Sequence, residues 1–271
     1  MGTVVQLDAS GPVLLVDWSY FVFWRFFATK KWYDSRLADV VDTTTLHGDP
    51  AFVSAFRKQM MDALQQVRAR YGIPRGNVVA LLDSPRATLW RTEVLPTYKA
   101  NRDARRAAAP AGTLINPEFF GLSERALSDD RVSAVRVDGL EADDLAYLFR
   151  EALPTRSIVM FTDDNDWGQL GGERVRVVNA GGADVAERSG SLASKIFSGD
   201  PGDNIPPVCK GCGKQTAKKL ADSAELREAY FAKHPDAVAG HARNRLLIDL
   251  ASVPEPYRRR FEAQVVVAVK N

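Results

Sequence analysis

The chain has 271 residues, 45% of them hydrophobic and 26% charged. That composition excludes a disordered, fibrous or low-complexity chain and leaves room for one large domain or two smaller ones around a substantial core. No apolar run approaches the ~18 residues of a membrane span, and the N-terminus lacks a signal-peptide pattern; with two cysteines, a reducing, cytoplasmic setting without membrane association is expected.

Residues 12–16, PVLLV, form a continuous apolar run, as expected of a strand buried on both faces. Asp17 follows at once, then WSYFVFWRFF, an aromatic segment that includes Arg25 and reads first as core. Residues 34–48 show no clear period and read as loop. Asp49-Pro50 is a helix start, and the pattern predicts a helix running to a stop at Gly72. Residues 77–82, NVVALL, give a second strand, closed by Asp83. The segment from Tyr98 to Ala109 is rich in alanine and arginine, strong helix formers. Helical spacing puts Lys99, Arg102, Arg105 and Arg106 on one face with almost no apolar residue, which is either a solvated face or a polyanion contact. Pro110 and Gly112 end this helix and Asn116-Pro117 starts another, predicting a helical hairpin between the second and third strands.

Residues 131–137 are the third predicted strand and lead into VDGLEADDLAYLF at 137–149. Leu140, Leu145, Leu148 and Phe149 mark one buried helix face, and Glu141, Asp143 and Asp144 crowd its first turn. The helix dipole favours acids there, and Asp138 with Glu141 resembles a capping box. That accounts for two acids, not four in seven residues: two carboxylates about 4 Å apart repel by about 4 kcal/mol at an effective dielectric near 20, a penalty that a cation would reverse. SIVMF at 157–161 is a fourth strand, followed by Asp164 and Asp166, and VRVVN at 175–179 a shorter fifth. Strands alternating with helices imply a largely parallel α/β sheet. A lone Asp after a strand ordinarily caps the next helix, but here acids follow four successive strands, at the C-terminal ends where open α/β sheets bind ligands.

Beyond residue 185 the strand signals stop. FSGDPGDNIPPVCKGCGKQTAKKLA adds Asp200 and Asp203, a Gly-rich turn with Gly211 and Gly213, and a lysine-flanked helix start. Such a turn can present backbone N–H groups to a phosphate. Cys209 and Cys212 have the spacing of a zinc or redox pair, but only His47, His234 and His241 could complete a zinc site and none are paired at the needed spacing; small apolar fillers are the simpler reading. The remainder to Asn271 reads as helices, with a basic stretch at Arg258–Arg260.

The order LLVDWS, ALLDS, RTEVLPTYKANR, LEADD, TDDNDWGQL and GDPGDNIPPV followed by GCG and TA resembles the 5′ nuclease family, the 5′–3′ exonucleases and flap endonucleases that include phage enzymes and the 5′-nuclease domain of bacterial DNA polymerase I. The match runs in order from residue 13 to about 220. The resemblance implies an α/β fold: a PIN-like parallel-sheet catalytic domain at 1–185 with a helical arch at about 91–130, then a helix–hairpin–helix (helix–three-turn–helix) DNA-binding region at 186–271. By the same resemblance, Asp17, Asp83, Glu141 and Asp143 serve one metal ion, and Asp144, Asp164, Asp166, Asp200 and Asp203 a second. Lys99 and Arg102 act on the scissile phosphate, with Arg91 and Tyr98 completing the arch signature. Arg25, Arg105, Arg106, Lys210, Gly211, Gly213, Lys214, Thr216, Lys218 and Lys219 are assigned to DNA. Of 34 acids, removing these nine leaves 25 against 36 Lys and Arg, an excess that suits a polyanionic partner.

All-oxygen ligands select Mg²⁺ or Mn²⁺; two such ions are implied, with K⁺ at the hairpin. The partners implied are DNA with 5′ ends, flaps or single-strand/duplex junctions, and RNA–DNA primers, bound by a monomer in a bacterial or phage-infected cytoplasm. Three departures stand out. Thr162-Asp163-Asp164 replaces the usual Ser-Gly-Asp, Pro206-Pro207-Val208 replaces the usual Pro-Gly-Val, and Cys209-Lys210 makes the hairpin one residue longer. Two other readings stay open at this stage: a PIN-type ribonuclease or RNA-primer nuclease, and a non-catalytic nucleic-acid-binding protein, which would need the basic face but not nine acids.

Overall fold

Strands β2 (Val13–Asp17), β3 (Val78–Leu81), β4 (Ser133–Val135), β5 (Ile158–Phe161) and β6 (Val175–Val178) form a parallel five-stranded sheet in the order β4-β3-β2-β5-β6. This computed structural model describes residues 2–36, 43, 45–110, 113–128 and 132–270. The strands read as unbroken apolar runs because both faces of the sheet are covered. Val13 and Leu15 of β2, Val79 and Leu81 of β3, and Ile158 and Met160 of β5 enter one core cluster. The intervening Leu14, Val16, Val78, Ala80, Val159 and Phe161 enter the other. Each fully buried aliphatic or aromatic side chain contributes roughly 1.5–3 kcal/mol to such layers.

Helices α1 (Trp18–Asp34), α2 (Pro50–Arg70) and α5 (Glu118–Leu127) cover the second face. Asp17 caps α1, accepting from the Tyr20 amide at 3.0 Å, while Asp49 caps α2 ahead of Pro50. The aromatic segment divides: Trp18, Phe21 and Phe26 are buried, whereas Phe23, Phe27 and Trp32 keep more than a third of their surface exposed. The first face carries α6 (Ala142–Ala152) and the C-terminal elements α10 (Asp236–Ile248) and α11 (Glu255–Gln264).

The structure corrects the sequence-based expectation in three places. The arch is two short helices, α3 (Trp90–Val94) and α4 (Asn101–Ala107), and the predicted helix from Tyr98 to Ala109 shrinks to α4. Lys99 precedes it in the left-handed region, at φ 56°. The second arm of the expected hairpin, α5, buries Phe119, Ser123, Ala126 and Leu127 and so is a core helix; Gly112 lies outside the described residues, as does Arg131 at the start of the third predicted strand. Last, β1 (Thr3–Asp8) and β7 (Val265–Lys270) pair in parallel as a separate two-stranded sheet, where no strand was expected beyond residue 185. The C-terminal region does not stand apart either: Leu247, Tyr257, Phe261 and Val265 belong to the same core cluster as β2, β3 and β5.

The hairpin expected after residue 200 is present between α7 (Leu192–Ser198) and α8 (Lys214–Asp222), and α9 (Ala224–Lys233) follows it. Gly199, at φ 71°, lies so close to the backbone of Ile205 and Pro206 that a Cβ would fall 2.4 Å from the Ile205 carbonyl. Gly240 of α10 meets the hairpin the same way: a Cβ there would sit 1.9 Å from the Val208 carbonyl. Cys212 is buried with Phe197, Ala217 and Leu220, and Cys209 lies half-buried with its Sγ 3.0 Å from the Tyr230 hydroxyl.

Candidate active site

The sheet delivers its acids to one edge. Asp17 ends β2, Asp83 lies two residues past β3, and Asp164 follows β5, while Glu141 and Asp143 open α6. Short polar contacts knit them together: Thr162 Oγ1 donates to Asp17 at 2.8 Å, Ser19 to Asp83 at 2.7 Å, the Ala142 amide to Asp83 at 2.9 Å, and the Trp167 indole to Asp143 at 2.7 Å. None of Asp17, Asp83, Asp143 or Asp164 forms an ion pair among the described residues. The electrostatic consequence is visible in two of them. Burial, reinforced by repulsion from Asp83, pushes the Asp17 carboxyl up to about 7. Burial and repulsion from Asp164 push Asp143 well above the ordinary carboxylate range. Desolvation plus like charge without compensation is how a functional site is recognised electrostatically.

The remaining acids are already satisfied by cations. Lys99 Nζ lies 2.5 Å from Glu141 and 3.6 Å from Asp203, and Arg102 reaches Asp203 at 2.8 Å. The Tyr98 hydroxyl sits 2.8 Å from Glu141 and 3.1 Å from Asp203. Burial alone would raise the Glu141 carboxyl, but Lys99 and Arg91 outweigh it and hold it down at about 2. The positive φ of Lys99 is what turns its ammonium inward, and its amide is fixed by the Asp203 carbonyl at 2.9 Å; a non-glycine residue is held there only where its surroundings over-determine it. Lys99 is 8% exposed, so it is no surface cation on a free helix face, as the sequence suggested, but part of the acidic centre. Lys195 of α7 pairs with Asp166 and, at 2.8 Å, with Asp200, and holds the Asp200 carboxyl down against its burial. Sequence reasoning passed over Lys195; its one signal is its place five residues before Asp200, within SKIFSGD.

Asp144 is set apart. Its two oxygens each accept from Arg91 at 2.8 Å, one also takes the Trp90 indole at 3.2 Å and the Glu141 amide at 3.0 Å, and its exposure is 0%. This carboxylate, which the resemblance assigns to the second metal ion, is held here by Arg91. Arg91, which the resemblance places in the arch signature, is enclosed with it. Only 2% exposed, it also bonds Glu141 at 3.0 Å and the Leu247 carbonyl at 3.0 Å. It ties the arch base to α6 and α10.

Two clefts meet here. A cavity of about 800 Å³ includes Asp83, Glu141, Tyr98, Lys99, Arg102, Arg105 and Arg106 on its walls, and one of about 400 Å³ gathers Asp164, Asp166, Asp200 and Asp203 with Arg102, Arg105 and Lys195. A groove of about 650 Å³, lined in part by Asp166, Lys195, Ser191, Ser198 and Lys214, leads from the second toward the hairpin. There Lys210, Gly211, Gly213, Lys214, Lys218 and Lys219 are exposed and Thr216 half-buried. Arg25 lies over the Trp24 ring and contacts Gln59 at 3.4 Å. The acids at the centre offer carboxylate oxygens, which fit a hard divalent cation. Among the described residues no three His, Cys, Asp or Glu side chains are already drawn into a metal shell.

The family model described as "5′-3′ exonuclease, N-terminal resolvase-like domain" matches residues 12–195, more than half the chain. The chain belongs to that family. A 5′-3′ exonuclease from Streptomyces coelicolor is 28% identical over 165 residues, covering 53% of this chain and 54% of the relative, so the chain spans about half the length of the curated relative it matches. Among solved structures, zinc-bound bacteriophage T5 5′-exonuclease aligns with a TM-score of 0.64 at 20% identity over 93% of this chain and 97% of the other. Bacteriophage T5 flap endonuclease, in a pseudo-enzyme–product complex with DNA and metal ions, gives 0.62 at 19% identity over 93% and 96%. These likenesses establish the shared fold, a parallel α/β sheet with the resolvase-like topology. Within this 5′–3′ exonuclease family member, the Thr162-Asp163-Asp164 departure has a structural account. Asp163 turns away from the centre to Arg188 and to Asn179 at 2.9 Å, while Asp164 accepts from the Asp166 amide at 2.9 Å.

Proposed function

We propose that the chain hydrolyses DNA phosphodiesters as a structure-directed 5′–3′ exonuclease and flap endonuclease, acting in replication or in primer and flap removal. The observation that carries this is the group of acids left without cations, Asp17, Asp83, Asp143 and Asp164, beside three cations, Lys99, Arg102 and Lys195, already on the remaining acids. Acids without cations suit Mg²⁺ or Mn²⁺, and two such ions, when bound, would supply an activated water and charge stabilisation for an in-line displacement. The residues that would hold them are Asp17, Asp83, Glu141 and Asp143 on one side and Asp164, Asp166, Asp200 and Asp203 on the other.

The chain's own cations have a separate task. Lys99 and Arg102 stand where negative charge would develop on the scissile phosphate, and such charges count most where water is excluded. Thr162 and Tyr20 orient the Asp17 carboxylate, and Trp167 orients Asp143. The hairpin lysines and backbone N–H groups suit duplex phosphates, with K⁺ a further ligand there by family resemblance. A ribonuclease of PIN type would not need this hairpin. Cleavage of a labelled 5′-flap DNA with Mg²⁺, beside single-stranded RNA and an EDTA control, is the test. Flap cleavage that EDTA stops is expected; cutting of the RNA alone, or binding without cutting, would reject the proposal.

A further inference from the structure

The hairpin between α7 and α8 carries two thiols that the acidic centre does not use, Cys209 and Cys212. They are the first and last residues of a tight turn. The Cys212 amide donates to the Cys209 carbonyl at 3.2 Å, and Gly211 stands at φ 88°, the positive φ that the third residue of a type II turn needs. Such a turn holds its end Cα atoms within about 7 Å, and disulfides span Cα separations of about 4.4–6.8 Å. The side chains converge as well. The Tyr230 hydroxyl lies 3.0 Å from the Cys209 Sγ and is also a hydrogen-bond neighbour of the Cys212 thiol. Both sulfurs therefore gather around a single hydroxyl, on the cluster that holds Phe197, Val208 and Leu220.

Burial divides their roles. Cys212 is 2% exposed, and that burial pushes its thiol up; Cys209 keeps part of its surface in water. Filling the core explains Cys212 but not a second, partly exposed thiol within reach of it. Among the described residues no third His, Cys, Asp or Glu joins them as a metal ligand. Exposed Lys210 and Lys214 lie beside the turn and would attract an anionic reagent. We propose that Cys209 and Cys212 are a reversible redox pair, oxidised by a small-molecule disulfide of the glutathione class. The Cys209 thiolate attacks one sulfur of that disulfide, breaking its S–S bond and releasing one thiol. Cys212, its proton given to water, then attacks the Cys209 sulfur and expels the second thiol. Two protein thiols and one small disulfide thus become one protein disulfide and two small thiols, with two electrons passed to the oxidant. The bond closes only the loop 209–212, so it constrains the unfolded chain little and suits a labile, redox-sensing disulfide rather than a structural one.

The test uses the full chain, reduced, freed of reductant and held with glutathione disulfide and EDTA. Intact mass and a thiol count in denaturant are the readouts, so neither metal nor DNA cleavage enters. The wild-type chain should lose both thiols while retaining no glutathione, and dithiothreitol should restore them. Cys212→Ser should stop at the mixed disulfide, keeping one glutathione on Cys209. Cys209→Ser should react about tenfold more slowly than the wild-type chain, because the remaining thiol is buried. A wild-type chain that keeps both thiols free, that retains glutathione, or that forms disulfides between chains would overturn the proposal. Reaction of Cys209→Ser at the wild-type rate would overturn it too, since Cys212 would then be as open as Cys209.

Discussion

Two sets of acids that meet at one edge of the sheet live under opposite electrostatics. Asp17 and Asp143 are desolvated among like charges, with carboxyls pushed upward. Glu141 and Asp144, flanking Asp143 on the same helical turn, are clasped by Lys99 and Arg91. The difference teaches that an acid-rich helix start is not one site but two. One part is built into the protein by cations the chain supplies, and the other waits for cations it does not. The comparison is sharpened by removing a member from each side.

The largest effect should come from the unpaired set. Asp143→Asn or Asp164→Ala should lower single-turnover flap cleavage by about a thousandfold or more, the scale of losing a principal electrostatic contributor, while metal-free folding stability stays equal or rises; a variant that still turns over would dissolve the distinction. On the paired side, Arg91→Ala strands Asp144 and should cost about 3–5 kcal/mol of folding stability in urea titration. An effect below 1 kcal/mol would show that the clasp is not structural. Lys99→Ala touches both roles. It should lose about 2–4 kcal/mol of transition-state stabilisation in single-turnover cleavage with a smaller change in equilibrium flap affinity; equal losses in rate and affinity would make Lys99 a docking contact.

A milder signature is pH. The folded Asp17 carboxyl, at about 7, lies above its ordinary 3.8, so its contribution is fully present below pH ~4 and is lost as pH rises through 7. Glu141, held at about 2, behaves oppositely, but only at pH below its ordinary 4.5. Between pH 5 and 7.5 metal-free protein should therefore melt a few degrees higher at the acid end, since about 1 kcal/mol moves a chain of this size by ~2–4 °C; Asp17→Asn should flatten that dependence. Smallest per residue are the hairpin lysines. Lys218→Ala with Lys219→Ala should flatten the plot of log affinity against log salt by about 0.9 for each duplex phosphate that is no longer neutralised. A change of sequence preference instead would mean that they read bases.

The sheet was legible because its strands are buried on both faces and so carry unbroken apolar runs, and the acids because they follow those runs directly. What escaped depends on partners distant in sequence. β7 is a strand because β1 lies beside it, 262 positions away at Thr3↔Val265, and nothing local in VVVAVK decides this. Arg91 carries the arch signature in the sequence, but only its partners Asp144 and the Leu247 carbonyl show that it is enclosed. The alanine- and arginine-rich stretch has high helix propensity, yet Lys99 leaves the helix, its ammonium held by the buried Glu141 and the half-buried Asp203, tertiary context overriding a weak local prior. The aromatic segment read as core along its whole length, and nothing in it said that Phe23 or Phe27 would remain partly in water.

The absence of a side chain at Gly240 has a mechanical consequence. Backbone lies directly on backbone there, with no side chain between the hairpin at Val208 and helix α10 that could yield. The far end of that helix offers the Leu247 carbonyl to Arg91, which in turn grips Glu141. A stiff strut thus spans from the hairpin to the acidic centre, and on the proposed reading it works as a gauge, fixing how many nucleotides separate the gripped duplex from the bond that is cut. Lengthening the hairpin by one residue would be absorbed in its exposed tip around Lys210 and Gly211, leaving the gauge unchanged.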